Sequence, residues 1–258
     1  MKSFIIFCSS SILLYQITRY NKFLKKKNKN KNKKIDGIIF GETGVNFAYQ
    51  LGITKYIQEN YNLDNYKFCG ISGGCHCAFI LSNKIEVDDF YNQFIIQTFN
   101  QKNQNKYSSI FDIANIALYK LYKSIFNLEN INDKMYISIT KVFPTFSNHT
   151  VSKFKDFNDA FLSIKSSQYI PFLFGSSYTV YNNQVCIDGY LSSFNYKPTN
   201  DNWVKINICD FSNYYYLTCI FNFTELFNED YHKKCYSDGY NDAKKYNKYF
   251  IDMGFKSK

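Results

Sequence analysis

The chain has 258 residues, 45% of them hydrophobic and 20% aromatic, so it is long enough to bury one core and too apolar to be disordered. Its net charge of +10 sits at one end: ten of the 31 basic residues and no acidic residue fall within residues 1–34, which leaves 21 basic against 21 acidic. A balanced folded part excludes nucleic-acid binding driven by net charge.

The chain opens on an apolar stretch, Ser3 to Ile17, followed by eight lysines between Lys22 and Lys34. As a helix, Phe4 to Ile17 spans about 21 Å, short of a hydrocarbon core of about 30 Å. Basic residues after an apolar segment hold that side in the cytosol. Each lysine near an anionic leaflet adds about 1 kcal/mol. Residues 1–34 are therefore predicted to be a membrane-targeting segment, with a folded domain over 35–258 on the cytosolic side.

Ile35 to Phe40 predicts a short buried strand, and Gly41-Glu42-Thr43-Gly44 a turn. Val45 to Asn60 reads as a helix and Tyr66 to Ile71 as a second strand. Ser72 ends that strand, and Gly73 to Lys84 reads as a helix. This βαβα order predicts a mostly parallel sheet. Beyond it, helix is expected over Val87 to Lys123 and Phe157 to Ser167. Strands are expected over Met135 to Val142, Val185 to Ile187, Trp203 to Cys209 and Tyr214 to Phe223. A helix over Tyr240 to Tyr249 closes the chain. The eight cysteines read as buried reduced thiols. Cys75-His76-Cys77 lacks the second ligand pair of a metal site.

Gly70-Ile71-Ser72-Gly73-Gly74 fits G-x-S-x-G between a predicted strand and a predicted helix. In that context the motif marks a nucleophilic serine on a sharp turn. The helix beginning at Gly73 points its positive end at the reacting centre. Two partners compete as base. His232, with Asp188 or Asp210, fits the Ser, then Asp, then His order of an α/β-hydrolase triad, but it lies in "DYHKKC", which reads as a charged surface segment. Asp188 ends a strand and precedes Gly189, where sites form in open α/β sheets. His76 and His149 have no better claim than His232.

These segments together resemble the patatin-like phospholipases, particularly their adiponutrin and adipose triglyceride lipase branch. The resemblance spans most of residues 35–250. It rests on "GETGVNFAYQLGITKYIQEN", "GISGG", "SSQYIPFLF", "CIDGYLSSF" and "GYNDAKKY". It implies a three-layer α/β/α sandwich with a mostly parallel sheet, and a Ser–Asp dyad without histidine, metal or cofactor. Carried over, Ser72 is the nucleophile and Asp188 the base. Gly70 and Gly74 frame the elbow, and Asp188-Gly189-Tyr190 is the Asp-Gly segment. Thr43, Gly44 and Gly73 stand where the oxyanion hole forms. The implied substrate is a phospholipid or acylglycerol.

The oxyanion segment departs from the family's Gly-Gly-Gly-x-Arg-Gly. This chain reads Glu42-Thr43-Gly44-Val45-Asn46-Phe47, and only Gly44 matches. A carboxylate at Glu42 opposes an oxyanion if it points inward, which leaves a catalytically impaired membrane-binding protein as the alternative.

Overall fold

The computed structural model describes residues 34–104, 110–171, 177–193, 196–218, 225 and 228–258. The apolar segment and all but the last of the eight lysines lie outside them. Among the described residues seven strands form one sheet. They are β1 (Gly37–Phe40), β2 (Lys67–Ile71), β3 (Met135–Lys141), β4 (Ser147–Val151), β5 (Thr179–Tyr181), β6 (Gln184–Ile187) and β7 (Trp203–Ile206). The helices are α1 (Phe47–Asn60), α2 (Cys75–Ser82), α3 (Val87–Tyr91), α4 (Gln97–Gln104), α5 (Ile110–Ile125), α6 (Leu128–Ile131), α7 (Phe157–Ser167), α8 (Asn213–Thr218), α9 (Glu229–Lys245) and α10 (Asn247–Met253).

The sheet order is β5-β6-β3-β2-β1-β7, with β4 also paired to β3. Strands β3, β2, β1 and β7 run parallel, and β4, β5 and β6 join antiparallel. The fold is thus mixed α/β with a mostly parallel sheet flanked by helices, as the strand–helix alternation predicts. Burial explains the apolar runs. β1 is buried at every position, and β3 at all but its last. The larger core packs Ile38, Phe40, Ala48, Leu51, Ala78 and Ile164 together on one face. A smaller cluster of Ile39, Cys69, Ile71 and Tyr136 lies under Tyr190, Tyr196 and Trp203.

Several expected elements differ. The predicted strand from Tyr214 begins instead as helix α8, and residues 219–223 lie outside the described residues. Its three tyrosines favour a strand by propensity, but tertiary contacts decide. Asn46 Nδ2 donates to the Tyr215 carbonyl at 2.5 Å, and the Tyr215 ring packs 4.4 Å from that of Tyr49. The predicted strand 203–209 stops at Ile206. Asn207 and Asp210 there form a reciprocal cap around a short turn. β4 and β5 have no counterpart among the expected strands: their alternation is weak, and β4 is half-buried along most of its length.

The helix expected over Tyr240 to Tyr249 is two helices, α9 and α10, and α9 starts eleven residues earlier than predicted, at Glu229, where Asn228 accepts the Tyr231 N–H. "DYHKKC" is therefore helical, and His232 is only 2% exposed. Its buried stripe is narrow: His232, Cys235, Gly239 and Ala243. Such a stripe of small residues gives little apolar signal, yet it lets α9 lie directly on α1.

That contact generates a test. Alanine in place of a helical glycine ordinarily adds about 1 kcal/mol of stability. Here a Cβ on Gly52 would collide with the Tyr236 carbonyl, and one on Gly239 with the Tyr49 carbonyl. Gly52→Ala and Gly239→Ala are each expected to destabilise the protein by about 1–3 kcal/mol, read as a lower urea midpoint.

Candidate active site

β2 ends at Ile71, and Ser72 follows with φ of 53°. A left-handed backbone at a non-glycine residue costs about 1–3 kcal/mol and persists only where its surroundings enforce it. Two hydrogen bonds do so. The Ser72 N–H donates to Ser167 Oγ at 3.0 Å, and that hydroxyl donates to the Ser138 carbonyl at 2.6 Å. The chain then enters a tight turn, Ser72–Gly74, and helix α2. Close packing explains the elbow glycines. A Cβ would strike Cys75 from Gly70, Thr43 Oγ1 from Gly73, and the Phe40 and Gly41 carbonyls from Gly74.

Asp188 reaches this elbow through the sheet. β2 pairs with β3 as far as Ser138, while β4 occupies the other edge of β3 over 137–141. β6 pairs with Thr140 and Lys141, so it must take the edge that β2 has left. Its next residue, Asp188, therefore meets Ser72. The Ser72 hydroxyl donates to Asp188 Oδ2 at 2.7 Å. Asp188 Oδ1 accepts the Tyr190 N–H at 2.9 Å, and the Asp188 carbonyl accepts from Thr140 Oγ1 at 2.7 Å. Gly189 fits against the Ser138 carbonyl, where a side chain would collide.

No protein-family model matches the chain, and no curated protein matches its sequence. Among solved structures it is similar to VipD from Legionella pneumophila, with a TM-score of 0.45 and 10% identity over 69% of this chain and 50% of VipD. It is also similar to a chain of the ExoU–SpcU complex from the type III secretion system of Pseudomonas aeruginosa. There the TM-score is 0.40 and the identity 8%, over 85% of this chain and 52% of the other. The chain spans about half the length of the chains it matches. At these identities the likeness does not extend to the adiponutrin and adipose triglyceride lipase branch.

The three histidines stand apart from this pair in their described contacts. His76 Nδ1 lies 2.6 Å from the Tyr122 hydroxyl and Nε2 lies 2.8 Å from Gln168 Nε2. Burial, helped by the Lys165 charge, lowers its pKa to about 4, so the ring is neutral. His232 packs against the rings of Phe47 and Phe99, and His149 sits on β4. Asp210 accepts the Asn207 N–H within its own turn. Cys75 and Cys77 are fully buried, and burial pushes the Cys77 thiol up to about 12.

Thr43 is buried beside Gly73, and Gly44 has φ of 50°. The segment proposed for the oxyanion therefore touches the elbow. The side chain of Glu42 is only 12% exposed, with Lys205 Nζ 3.7 Å from its Oε2. It does not turn out into water. Lys205 lies on β7 in register with Ile39, and the sequence does not mark it, because a lone lysine in a strand carries no motif.

Burial raises the Asp188 pKa to about 7, and the Glu42 charge pushes the same way; the hydrogen bonds from Ser72 and Tyr190 pull it down. The native state thus keeps a proton up to about pH 7 that the unfolded chain releases near pH 4. Stability from this group is full below pH 4 and is lost as pH rises toward 7, by about 1.4 kcal/mol per unit. Asp188→Asn removes that slope. The expected result is a variant whose stability relative to wild type increases from pH 4 to 7 and then levels, measured by urea unfolding across pH.

Proposed function

We propose that this chain is a patatin-like serine lipid acyl hydrolase that cleaves carboxylic esters through a Ser72–Asp188 dyad. The observation that carries this reading is the 2.7 Å hydrogen bond from Ser72 to Asp188, made by a serine in left-handed backbone at a strand end. In the reaction Ser72 Oγ attacks the ester carbonyl and passes its proton to Asp188 Oδ2. Backbone N–H groups of Gly44 and Gly73, with Thr43 beside them, hold the tetrahedral oxyanion. Collapse expels the alcohol, which takes the proton from Asp188. Water, deprotonated by Asp188, then attacks the acyl-serine, and Ser72 leaves with a proton as the carboxylic acid is released.

A base with a pKa near 7 is poised for work at neutral pH. The substrate class, a phospholipid or acylglycerol, follows from the motif resemblance, as does the finer assignment to the adiponutrin and adipose triglyceride lipase branch. Residues 1–34 act as the membrane-targeting segment of a hydrolase domain over 35–258. Among the described residues no helix is long and apolar enough to cross a membrane. The dyad asks for no cofactor or metal, and the charge balance of residues 35–258 gives no electrostatic basis for a nucleic-acid partner.

Glu42 supports a second reading, a catalytically impaired lipid-binding protein. Its carboxylate is largely buried and acts on Asp188, so it also opposes a nearby oxyanion. Lys205 offsets part of that charge. Covalent labelling by a fluorophosphonate separates the two: an active site of the proposed kind is labelled at Ser72, and an impaired one is not.

Ser72→Ala and Asp188→Asn are each expected to lower kcat/KM for ester hydrolysis by about 10³-fold or more, while His232→Gln and His149→Gln retain activity in folded protein. Loss with His232→Gln equal to that with Ser72→Ala would return the triad.

A second expectation concerns pH. Because Asp188 must be ionised to accept the proton, kcat/KM rises as pH increases through about 7. Glu42→Gln removes a neighbouring negative charge and shifts this rise to lower pH, so activity at pH 6 increases relative to wild type. An unchanged profile would mean that Glu42 does not act on Asp188.

A further inference from the structure

Beyond Thr140, which anchors Asp188, strand β3 runs outward into the turn that joins it to β4. That turn, Val142-Phe143-Pro144-Thr145-Phe146, is exposed at all five positions and carries no charge. Phe143 is 70% and Phe146 60% exposed. Turns in water favour Gly, Asn and Asp, as the neighbouring turn Asn182-Asn183 does with φ of 48° and 59°. Two bare phenylalanines at a hairpin tip are the opposite choice.

The apolar surface continues toward the catalytic pair. The Val142 N–H donates to the Val185 carbonyl, and Val185 pairs with Val180, which is also exposed. Strand alternation puts Val142 on the same side as Thr140. Thr140 Oγ1 lies 2.8 Å from Ser192 Oγ, which ties the hairpin to the turn after Asp188. Leu191 is exposed on that turn. From Ser138 to Lys141, where β3 ends, the chain advances about 10 Å, and Phe143 lies two residues further on. Lys34, where the described chain begins, enters β1 at the other end of the parallel strands, away from Ser72 and Asp188.

We propose that the hairpin tip Val142–Phe146 inserts its phenylalanines into a lipid surface and holds the mouth of the Ser72–Asp188 site against it. The insertion is shallow. The rings sit at the boundary between headgroups and acyl chains, with the Asn182-Asn183 turn and Lys141 at headgroup level. This gives the two ends of the domain different tasks: the lysine-rich segment attracts the protein to a membrane, and the tip decides which face meets it. The proposal builds on the lipid hydrolase reading, but vesicle binding tests it separately from hydrolysis.

The experiment uses the full chain with phosphatidylcholine vesicles at about 0.15 M salt, where attraction of the lysines is weak. Phe143→Ser with Phe146→Ser is expected to lower vesicle partition about tenfold or more. Hydrolysis of a soluble short-chain ester by the same variant is expected to stay within about twofold of wild type. Trp fluorescence of Phe143→Trp, read as the difference from wild type, is expected to be quenched by brominated phosphatidylcholine.

Unchanged partition of the double variant, absence of that quenching, or no binding by wild type would overturn the proposal. An equal loss from Ile116→Ser with Leu162→Ser, which alter another exposed apolar spot, would move the contact to that face and overturn it too. So would a wild-type dimer that the tip substitutions dissociate, since the tip would then be a contact between copies. If tip-dependent vesicle binding is found but wild type cleaves no ester, docking stands and the hydrolase reading fails.

Discussion

The edge of β3 that β2 leaves free after Ser138 is the constraint on which the site depends. Two strands share that edge end to end, one arriving parallel and one antiparallel. Because β2 leads into Ser72 and β6 into Asp188, the sharing sets the serine and the carboxylate face to face. The bond between them joins residues 116 positions apart in the chain. No loop has to carry Asp188 to the serine; backbone pairing fixes both within hydrogen-bond reach.

The same arrangement concentrates costs. Ser72 holds a left-handed backbone, and Asp188 is a carboxylate with 6% exposure. Both are compensated locally. Ser167 ties the Ser72 amide to the carbonyl of Ser138, and Asp188 accepts two hydrogen bonds on its two oxygens. What the hydrogen bonds do not offset emerges as a raised affinity for a proton. A carboxylate held this way is a stronger base than a solvated one, so the burial that weakens the fold also makes the residue more basic. Glu42 adds to the effect, and its position against Lys205 keeps a second carboxylate in the same field.

Around this centre the fold separates support from exposure. Helix α9 lies on α1 through glycines that admit backbone to backbone, and so braces the segment that leads out of the Gly41–Gly44 turn. On the opposite, outward side of β3, the sheet continues into a hairpin with apolar side chains in water. Close packing of α9 on α1 and uncovered apolar surface at the hairpin thus lie on different parts of the domain.

The sequence by itself determined the elements whose causes are local. An apolar run gave β1, and a serine among glycines between a strand and a helix marked the elbow. Asp-Gly after Ile187 marked a strand end. Each is a pattern within a few residues, and each is found where expected. Tertiary structure alone decided what lies between distant segments. β4 and β5 carry little periodicity because they are partly exposed edge strands, so only pairing with β3 and β6 makes them strands. The tyrosine run after Asn213 became helix because Asn46 and Tyr49, more than 150 positions away, engage Tyr215. Helix α9 hid behind a stripe of small residues. Whether Glu42 faced water was equally open from its neighbours in the chain. It was decided by Lys205, delivered two strands across the sheet from β2 because β7 pairs with β1. Local sequence sets local conformation; which charges and chains meet is a property of sheet order, and that order is fixed by pairing between segments far apart in sequence.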